Sequence, residues 1–580
     1  MSDGFMFIDR MKKFFAGLLV SCFALNLSAA ETPYQAAIAT AHPYATEAGR
    51  EILEHGGNAF DAAVAISAVL AVVEPYSSGL GGGGFWLLHR QSDQYQIMVD
   101  GRETAPESSS KNMYLDRAGN VIPGASINGP LAAAIPGVPA ALFYINKHYG
   151  RISLADCLEP AIRYAREGFP VTDRYQKLAG YRLDELRRWP ATARIFLQDN
   201  DIPEKGHLII QTDLADTLMR LAREGHTGFY SGPVAEKLVK SVQLNRGIWK
   251  MRDLLHYRIK ERRPVVAQYK RFRLVSAPPP SSGGIVLAQM LNMLERFNLS
   301  SFDPVTRKHI IVEVMRRAYR DRAVHLGDPD FVNVPVSRLL DLDYAEGLAL
   351  SIDLDHATPS KDLSGVVAEE NIGEDTTHFS VLDDEGNRVS ATLSINLPFG
   401  SGFVANGTGI LLNNEMDDFA IKPQTPNSYG LVGNEANSVA PGKRPLSSMS
   451  PTFLESEDEV AILGTPGGSR IITMVLLGIL DFAEGNPPES WVSLPRFHHQ
   501  YLPDEIQFEK DGLTPPEQEQ LRAYGHRLNE KNREYGNMQA ILWYKPRQLV
   551  FAASDPRGEG TADVFDVIEQ PRLASEKAIP

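Results

Sequence analysis

A hairpin is written near the middle of this chain. Thr376-Thr377-His378-Phe379-Ser380-Val381-Leu382 is followed by Asp384-Glu385-Gly386-Asn387 and then by Val389-Ser390-Ala391-Thr392-Leu393. Strand-forming residues on both sides of a turn with Gly at its tip predict an antiparallel pair closed near Gly386. The hairpin opens on two hydroxyl residues. By itself a Thr-Thr pair more often just lines a strand. If the chain were cut before Thr376, however, that residue would carry its own base, an α-amine with a reference pKa of about 7.7–8.0.

The surroundings of the hairpin divide the chain. Residues 355–375 are polar, poor in aromatics and supplied with Pro, Ser, Gly and acids, and read as an exposed, mobile tether ending at Thr376. Beyond it the pattern is strand-rich, with strands expected at 378–382, 388–395, 409–412, 451–454, 460–463, 541–544 and 549–553, and helices at 470–482 and 516–523. Upstream, residues 130–350 read as mostly helical, with helices over 139–149, 154–167, 213–224, 234–242, 284–297 and 305–326. A Pro-rich stretch, Ala277-Pro278-Pro279-Pro280-Ser281-Ser282-Gly283-Gly284, interrupts and restarts that pattern. A helix over 58–73, capped by Asn58 or Asp61, is small or apolar on nearly every side and is expected to be buried. The glycine run that follows, through Gly84, permits close backbone approach. It is not a phosphate loop, because no Lys-Ser/Thr pair follows and a strand comes next. The chain therefore reads as helical outside and sheet-rich inside, both halves contributing to one core.

Bulk properties exclude more than they select. With 580 residues, 43% hydrophobic and 22% charged, the chain has the composition of an ordinary soluble enzyme. A net charge of −14 argues against a nucleic-acid partner, which needs a basic face. Met11-Lys12-Lys13, an apolar run from Phe14 to Leu25 and Ser28-Ala29-Ala30 describe a secretory signal over residues 1–30, with Met11 a candidate start, and so a periplasmic or secreted protein. Lipidation at Cys22 is the lesser alternative. No other stretch is long and apolar enough to span a bilayer. Removal of the signal leaves Cys157 alone, a buried structural thiol with no disulfide partner. No Cys/His set has zinc spacing, and the adjacent pair His498-His499 reads as packing, not metal.

Four further segments have the composition of a site. Gly464-Thr465-Pro466-Gly467-Gly468-Ser469-Arg470 follows a strand and opens a helix, where backbone N–H groups and the helix dipole favour an oxyanion. Arg444 to Pro451 holds Ser447 and Ser448 between prolines. Asn413-Asn414-Glu415-Met416-Asp417-Asp418-Phe419 places carboxylates and amides in a loop. Arg102, just beyond a strand, offers a planar fork suited to a carboxylate.

In this order, these motifs closely resemble the γ-glutamyltransferases (glutathione hydrolases). Asp100-Gly101-Arg102-Glu103-Thr104-Ala105-Pro106, Leu326-Gly327-Asp328-Pro329-Asp330-Phe331, Pro495-Arg496-Phe497-His498-His499-Gln500 and Ala553-Ser554-Asp555-Pro556-Arg557 extend the match over essentially all of the chain after the signal. The resemblance implies an α/β fold of the N-terminal-nucleophile hydrolase type, a four-layer αββα sandwich forming a single large domain from both halves of the chain. It implies self-cleavage between Asp375 and Thr376 into a large subunit (31–375) and a small subunit (376–580) that stay together as a heterodimer. Thr376 would be the nucleophile, supported by Thr377 and Ser394, with Gly467 and Gly468 as oxyanion donors. Arg102, Ser447 and Ser448 would hold the α-carboxylate of a γ-glutamyl group, and Asn396, Glu415 and Asp418 its ammonium.

The segment 423–433 looks like the family's lid loop, with Tyr429 as its latch, which favours small γ-glutamyl compounds such as glutathione. Ser394 departs from the Thr of many relatives, and Glu415 replaces the Gln of some. The implied reaction passes the acyl group to water or to an amino acid or dipeptide acceptor and requires no metal or organic cofactor. Rival readings are a cephalosporin side-chain acylase on the same scaffold and a silent paralogue serving as a binding protein.

Overall fold

The computed structural model describes residues 32–363, 376–422 and 425–567, which apart from Thr32 fall in one compact unit, Pro33–Pro580. The expected signal with Met11 and Cys22, the 364–375 part of the tether with Asp375, and Pro423 and Gln424 of the lid segment lie outside the described residues.

Two antiparallel sheets form the centre. The first has seven strands in the order Thr561–Phe565, Ala36–Thr40, Thr377–Leu382, Arg388–Ser394, Gly83–Arg90, Tyr95–Asp100, Lys260–Arg262. The second has six, in the order Leu549–Ser554, Gln539–Tyr544, Glu459–Gly464, Thr452–Glu455, Phe272–Ser276, Val265–Tyr269. Each sheet takes strands from both sides of residue 376. The expected central hairpin pairs Leu393 with Thr377 at its mouth and turns at Gly386, whose φ of 86° only Gly tolerates easily.

The two-residue repeat of a strand distributes side chains between two cores. Trp86 and Leu88 join Ile38, Phe379 and Val381 against the helix Ala59–Val73. Phe85 and Leu87 point the other way, into the space shared with the second sheet. Beyond that sheet lie the helices Gly283–Leu294, Pro304–His325 and Ile471–Phe482. The stack is helix, sheet, sheet, helix, the four-layer α/β sandwich expected from the resemblance. All 15 residues of Ala59–Val73 are buried, and Asn58 and Asp61 both cap it in a reciprocal capping box. The glycine run after it is needed for space: a Cβ on Gly82 would lie 2.1 Å from the Ser394 carbonyl oxygen.

Two expectations need correction. The stretch read as mostly helical contains the hairpin Val265–Tyr269/Phe272–Ser276, one edge of the second sheet. Its turn, Lys270-Arg271, lacks Gly or Asn, and Lys270 takes a φ of 51°, so turn chemistry did not announce it. The described start of the tether is exposed but not loose. Ser360 is fully buried, donating to the Tyr501 carbonyl (2.7 Å) and accepting from Arg316 (2.7 Å), while Arg317 holds Thr358 (3.1 Å).

Candidate active site

The hairpin's inner face is polar yet buried. Thr376, His378 and Ser380 share it by the strand repeat, opposite Phe379 and Val381. His378 Nδ1 lies 2.8 Å from Thr392 Oγ1, Ser380 donates to the Gln539 carbonyl at 3.1 Å and Ser390 to the Leu463 carbonyl at 3.2 Å. The two seryl bonds cross between the sheets and lock them at one mutual position, since a buried polar group left unpaired costs about 1–3 kcal/mol. Burial lowers the His378 pKa to about 3, so its imidazole stays neutral over the working range.

At the mouth of this face a pocket gathers residues from widely separated segments. Thr376, Ser394, Asn396, Arg102, Glu415, Asp418, Tyr429, Ser447, Ser448 and Gly468 line it, with Arg322, Leu431, Met449, Ser469 and Ile471. Thr376 is 4% exposed. Ser394 Oγ accepts from the Asn396 N–H at 2.7 Å, and Asn396, held at a φ of 76°, donates to the Asn414 carbonyl at 2.9 Å. Two expected members fall outside the lining. Thr377 lies on the outer face and donates to Glu74 Oε2 at 2.6 Å. Gly467 borders a larger groove on the other side of the same turn.

The charged end of the pocket is one network. The Arg102 guanidinium, fully buried, bonds Glu415 through Nη1 and Asp418 through Nη2 (2.5 Å), and its Nε and Nη2 also reach the Pro445 and Leu446 carbonyls at 3.2 and 3.3 Å. The groups assigned by resemblance to opposite ends of an amino-acid head thus touch each other. Burial raises the pKa of all three neighbouring carboxyls. Glu103 is pushed well up by desolvation and then by Glu415, with Arg102 opposing. Asp418 is raised, with Arg102 opposing. Glu415 is pushed to about 7 by burial, against the pull of Arg102. An added cation beside Glu415 would favour its ionised form, so the site is matched to an ammonium ion.

Ser447 and Ser448 stand on the Pro-rich segment that the sequence left without a role. The Ser447 N–H donates to the Pro280 carbonyl (2.8 Å), and the Ser282 N–H and hydroxyl both donate to the Ser447 carbonyl (2.8 and 2.7 Å). Ser448 Oγ accepts from Arg322 at 3.1 Å. Over the pocket lies the latch: Tyr429 donates its hydroxyl to the Asn396 carbonyl at 2.6 Å, and its ring covers Gly468. A Cβ on Gly468 would lie 2.3 Å from that ring, and its φ of 56° also requires Gly. The lid is pinned from below, Asn427 donating to Asp418 (3.1 Å) and the Ser428 N–H to Asp417 (2.9 Å). Gly468 opens a short 3₁₀ turn, Gly468–Arg470, that runs into helix Ile471–Phe482, so the positive helix end lies at the pocket.

Sequence reasoning missed Glu74 and Arg322. Glu74 is a fully buried acid at the C-cap of Ala59–Val73, where a cation is the usual choice; burial raises its pKa. That mismatch was its one sequence signal. Arg322 sits in a long helix full of arginines and had none. His498 and His499 are buried and bonded to Thr473 (2.8 Å), Gln500 (2.8 Å) and Asp504 (3.3 Å). Among the described residues one cluster has metal-ligand proximity, His309, Glu313 and His526, with ligand atoms within 4.8 Å of one another. Its imidazoles bond each other at 2.7 Å and Glu313 is clasped by Arg316 and Arg317, so its donors are already used.

Residues 45–565 match the family model described as Gamma-glutamyltranspeptidase. The chain is 41% identical over 556 residues to a glutathione hydrolase proenzyme of Pseudomonas sp. strain A14, covering 93% of this chain and 96% of that protein. It is 40% identical over 528 residues to the glutathione hydrolase proenzyme of Escherichia coli K12, covering 90% of each. Among solved structures, a cephalosporin acylase from Bacillus halodurans superposes with a TM-score of 0.80 at 26% identity, covering 92% of this chain and 96% of the other.

Proposed function

The chain belongs to the gamma-glutamyltranspeptidase family, and from that membership we propose that it is a self-processing γ-glutamyl hydrolase and transpeptidase acting on glutathione and related γ-glutamyl compounds. The observation that carries the reading is the pocket itself: Thr376, a zwitterion-matched network around Arg102 and a glycine turn at a helix start meet at one place.

In maturation, Thr376 Oγ attacks the Asp375 carbonyl carbon, the acyl group moves from nitrogen to oxygen, and water hydrolyses the ester. The products are a new carboxylate at Asp375 and a free amine at Thr376. The large subunit (31–375) and small subunit (376–580) remain joined as a heterodimer because each sheet draws strands from both. In catalysis, the α-carboxylate of the γ-glutamyl head takes Arg102 with Ser447 and Ser448. Its ammonium takes Glu415, Asp418 and Asn396. This clamp sets the γ-carbonyl against Thr376 Oγ, whose proton passes to the α-amine of Thr376. The Gly467 and Gly468 N–H groups receive the oxyanion. The leaving amine takes the proton, the γ-glutamyl ester remains on Thr376, and water or an acceptor amine releases it. Thr377 acts at one remove, through its bond to Glu74 at the base of the strand. The signal-like first 30 residues support a periplasmic or secreted enzyme. No helix among the described residues is long and apolar enough to cross a membrane.

The acylase reading shares the scaffold. The seated Tyr429 latch and the ammonium-matched Glu415 favour γ-glutamyl over glutaryl substrates, which lack the ammonium. The test is chromophore release from γ-glutamyl-p-nitroanilide and glutaryl-p-nitroanilide, with N-terminal sequencing of the purified fragments. The expected result is γ-glutamyl preference and a fragment beginning at Thr376. Preferential release from the glutaryl compound would give the site to acylase chemistry, and an active chain still joined at Asp375–Thr376 would end the mechanism.

A further inference from the structure

Arg102 is anchored by residues that do not reach the pocket. Its N–H donates to Asp100 Oδ1 at 2.9 Å, and its carbonyl accepts from the Tyr257 hydroxyl at 2.8 Å. The other Asp100 oxygen accepts from Arg262 Nε at 2.7 Å and lies 3.4 Å from Arg444 Nε. The motif at 326–331, which the reaction itself does not use, holds both of these cations. Asp330 accepts from Arg262 Nη2 at 2.6 Å, and Asp328 accepts from the Arg444 N–H at 2.9 Å. Asp100 ends strand Tyr95–Asp100 and pairs with Phe85 on one side and Lys260 on the other, so its carboxylate stands on a fixed backbone. Asp100 and Asp328 are fully buried. None of Asp100, Arg262, Asp328 and Arg444 lines the pocket. The connections close on themselves. The Arg102 guanidinium donates to the Pro445 and Leu446 carbonyls, which follow Arg444 in the chain and precede Ser447 and Ser448. One buried carboxylate thus touches the root of the Arg102 fork and, through Arg444, the segment that carries the two serines.

We propose that Asp100 is a positioning residue for substrate recognition: held by Arg262, Asp328 and Asp330, it sets the direction of the Arg102 fork and its register against Ser447 and Ser448. The inference rests on the γ-glutamyl reading given above. A planar fork grips a carboxylate only when both N–H directions are right, so a small rotation at its root weakens recognition while every charge in the pocket remains. The supporting cluster is itself balanced. Asp100, Asp328 and Asp330 stand against Arg262, Arg444 and Lys260, the last bonding Asp330 at 2.7 Å. It therefore orients Arg102 without competing for the substrate's charges. Arg444 lies beyond residue 376 and the other five before it, so the same pairings join the two proposed subunits beside the place where the substrate carboxylate is held.

The experiment is a double-mutant cycle on γ-glutamyl-p-nitroanilide hydrolysis by the mature enzyme, with kcat/KM read from the low-substrate slope. Asp100→Asn keeps the size and an acceptor for the Arg102 N–H but turns an amide toward Arg262 and Arg444. It is expected to lower kcat/KM about tenfold through KM, with kcat changed less than about twofold. In an Arg102→Lys background the fork is already gone, and the same substitution is expected to change kcat/KM by less than about twofold. Arg262→Lys keeps the charge but cannot hold Asp100 and Asp330 with two prongs. It is expected to show the same pattern at about threefold, and it carries the test if Asp100→Asn does not fold. Equal factors in the two backgrounds mean a general structural role and overturn the proposal. So does a loss confined to kcat, or an unchanged kcat/KM in the single variants. If the unaltered enzyme releases nothing from the anilide, the γ-glutamyl reading itself has failed and this proposal falls with it.

Discussion

The two ends of the pocket are built from opposite materials. The head-binding end is ionic: Arg102 stands in contact with Glu415, Asp418 and Glu103, backed by Arg322 and by seryl hydroxyls. The reacting end carries no formal charge before cleavage: a threonine, a serine and a glycine turn at a helix start. Charges that bind a zwitterion hold it as firmly in the ground state as in the transition state, and so act on KM. Fixed N–H dipoles aimed where charge develops act on kcat. Neutral dipoles at the head end could not compensate the desolvation of an ammonium and a carboxylate.

The division can be broken by substitution, and the largest expected effect is at the reacting end. Thr376→Ala removes nucleophile and cleavage together; the protein runs as one unsplit band on a denaturing gel and takes up no acyl label. Next is Gly468→Ala, whose methyl group meets the Tyr429 ring and a disfavoured φ. Turnover is expected to fall about 10²–10³-fold, with KM changed much less, in steady-state kinetics. At the head end, Arg102→Lys keeps the charge but not the fork, leaving Glu415 or Asp418 under-bonded. Losing about 2 kcal/mol or more of a buried charged contact raises KM about 30-fold or more, with kcat little altered.

The fourth effect is one of pH. Ionised Glu415 attracts the substrate ammonium, so bound substrate pulls its pKa below the free value of about 7. Affinity is therefore full above pH 7 and declines as pH falls through it, by at most tenfold per unit. Glu415→Gln flattens that limb in a pH profile of kcat/KM, and a limb that persists in the variant assigns it to another group. The smallest effect is at the latch: Tyr429→Phe loses one hydrogen bond, about 0.5–1.5 kcal/mol, and narrows the preference for γ-glutamyl over glutaryl anilide only a few-fold.

Much of the site was legible because its parts are local. The central hairpin, the capping box at Asn58 and the glycine turn before Ile471 depend on backbone preferences and near-neighbour hydrogen bonds, which a few consecutive residues specify. The helices fell close to expectation where apolar spacing was strong, as in Leu154–Glu167. The hairpin Val265–Tyr269/Phe272–Ser276 did not, because its turn has no glycine and it lies among helices. Glu74 and Arg322 were overlooked because their partners, Thr377 and Ser448, are remote in sequence.

The inner face of the central hairpin marks the boundary. His378, Ser380, Ser390 and Thr392 alternate with apolar residues in the pattern of a half-solvated strand, yet all four are fully buried between the sheets. The chain alone determined the strands, caps and turns, since φ preferences and one-turn hydrogen bonds need no distant partner. The stacking of two sheets decided that those polar side chains face carbonyls instead of water. It also decided that Arg102 meets Glu415 across 313 residues and that Pro280 and Ser282 sit behind Ser447. Such pairings become favourable only when the partners are desolvated together, and that condition exists only in the folded molecule.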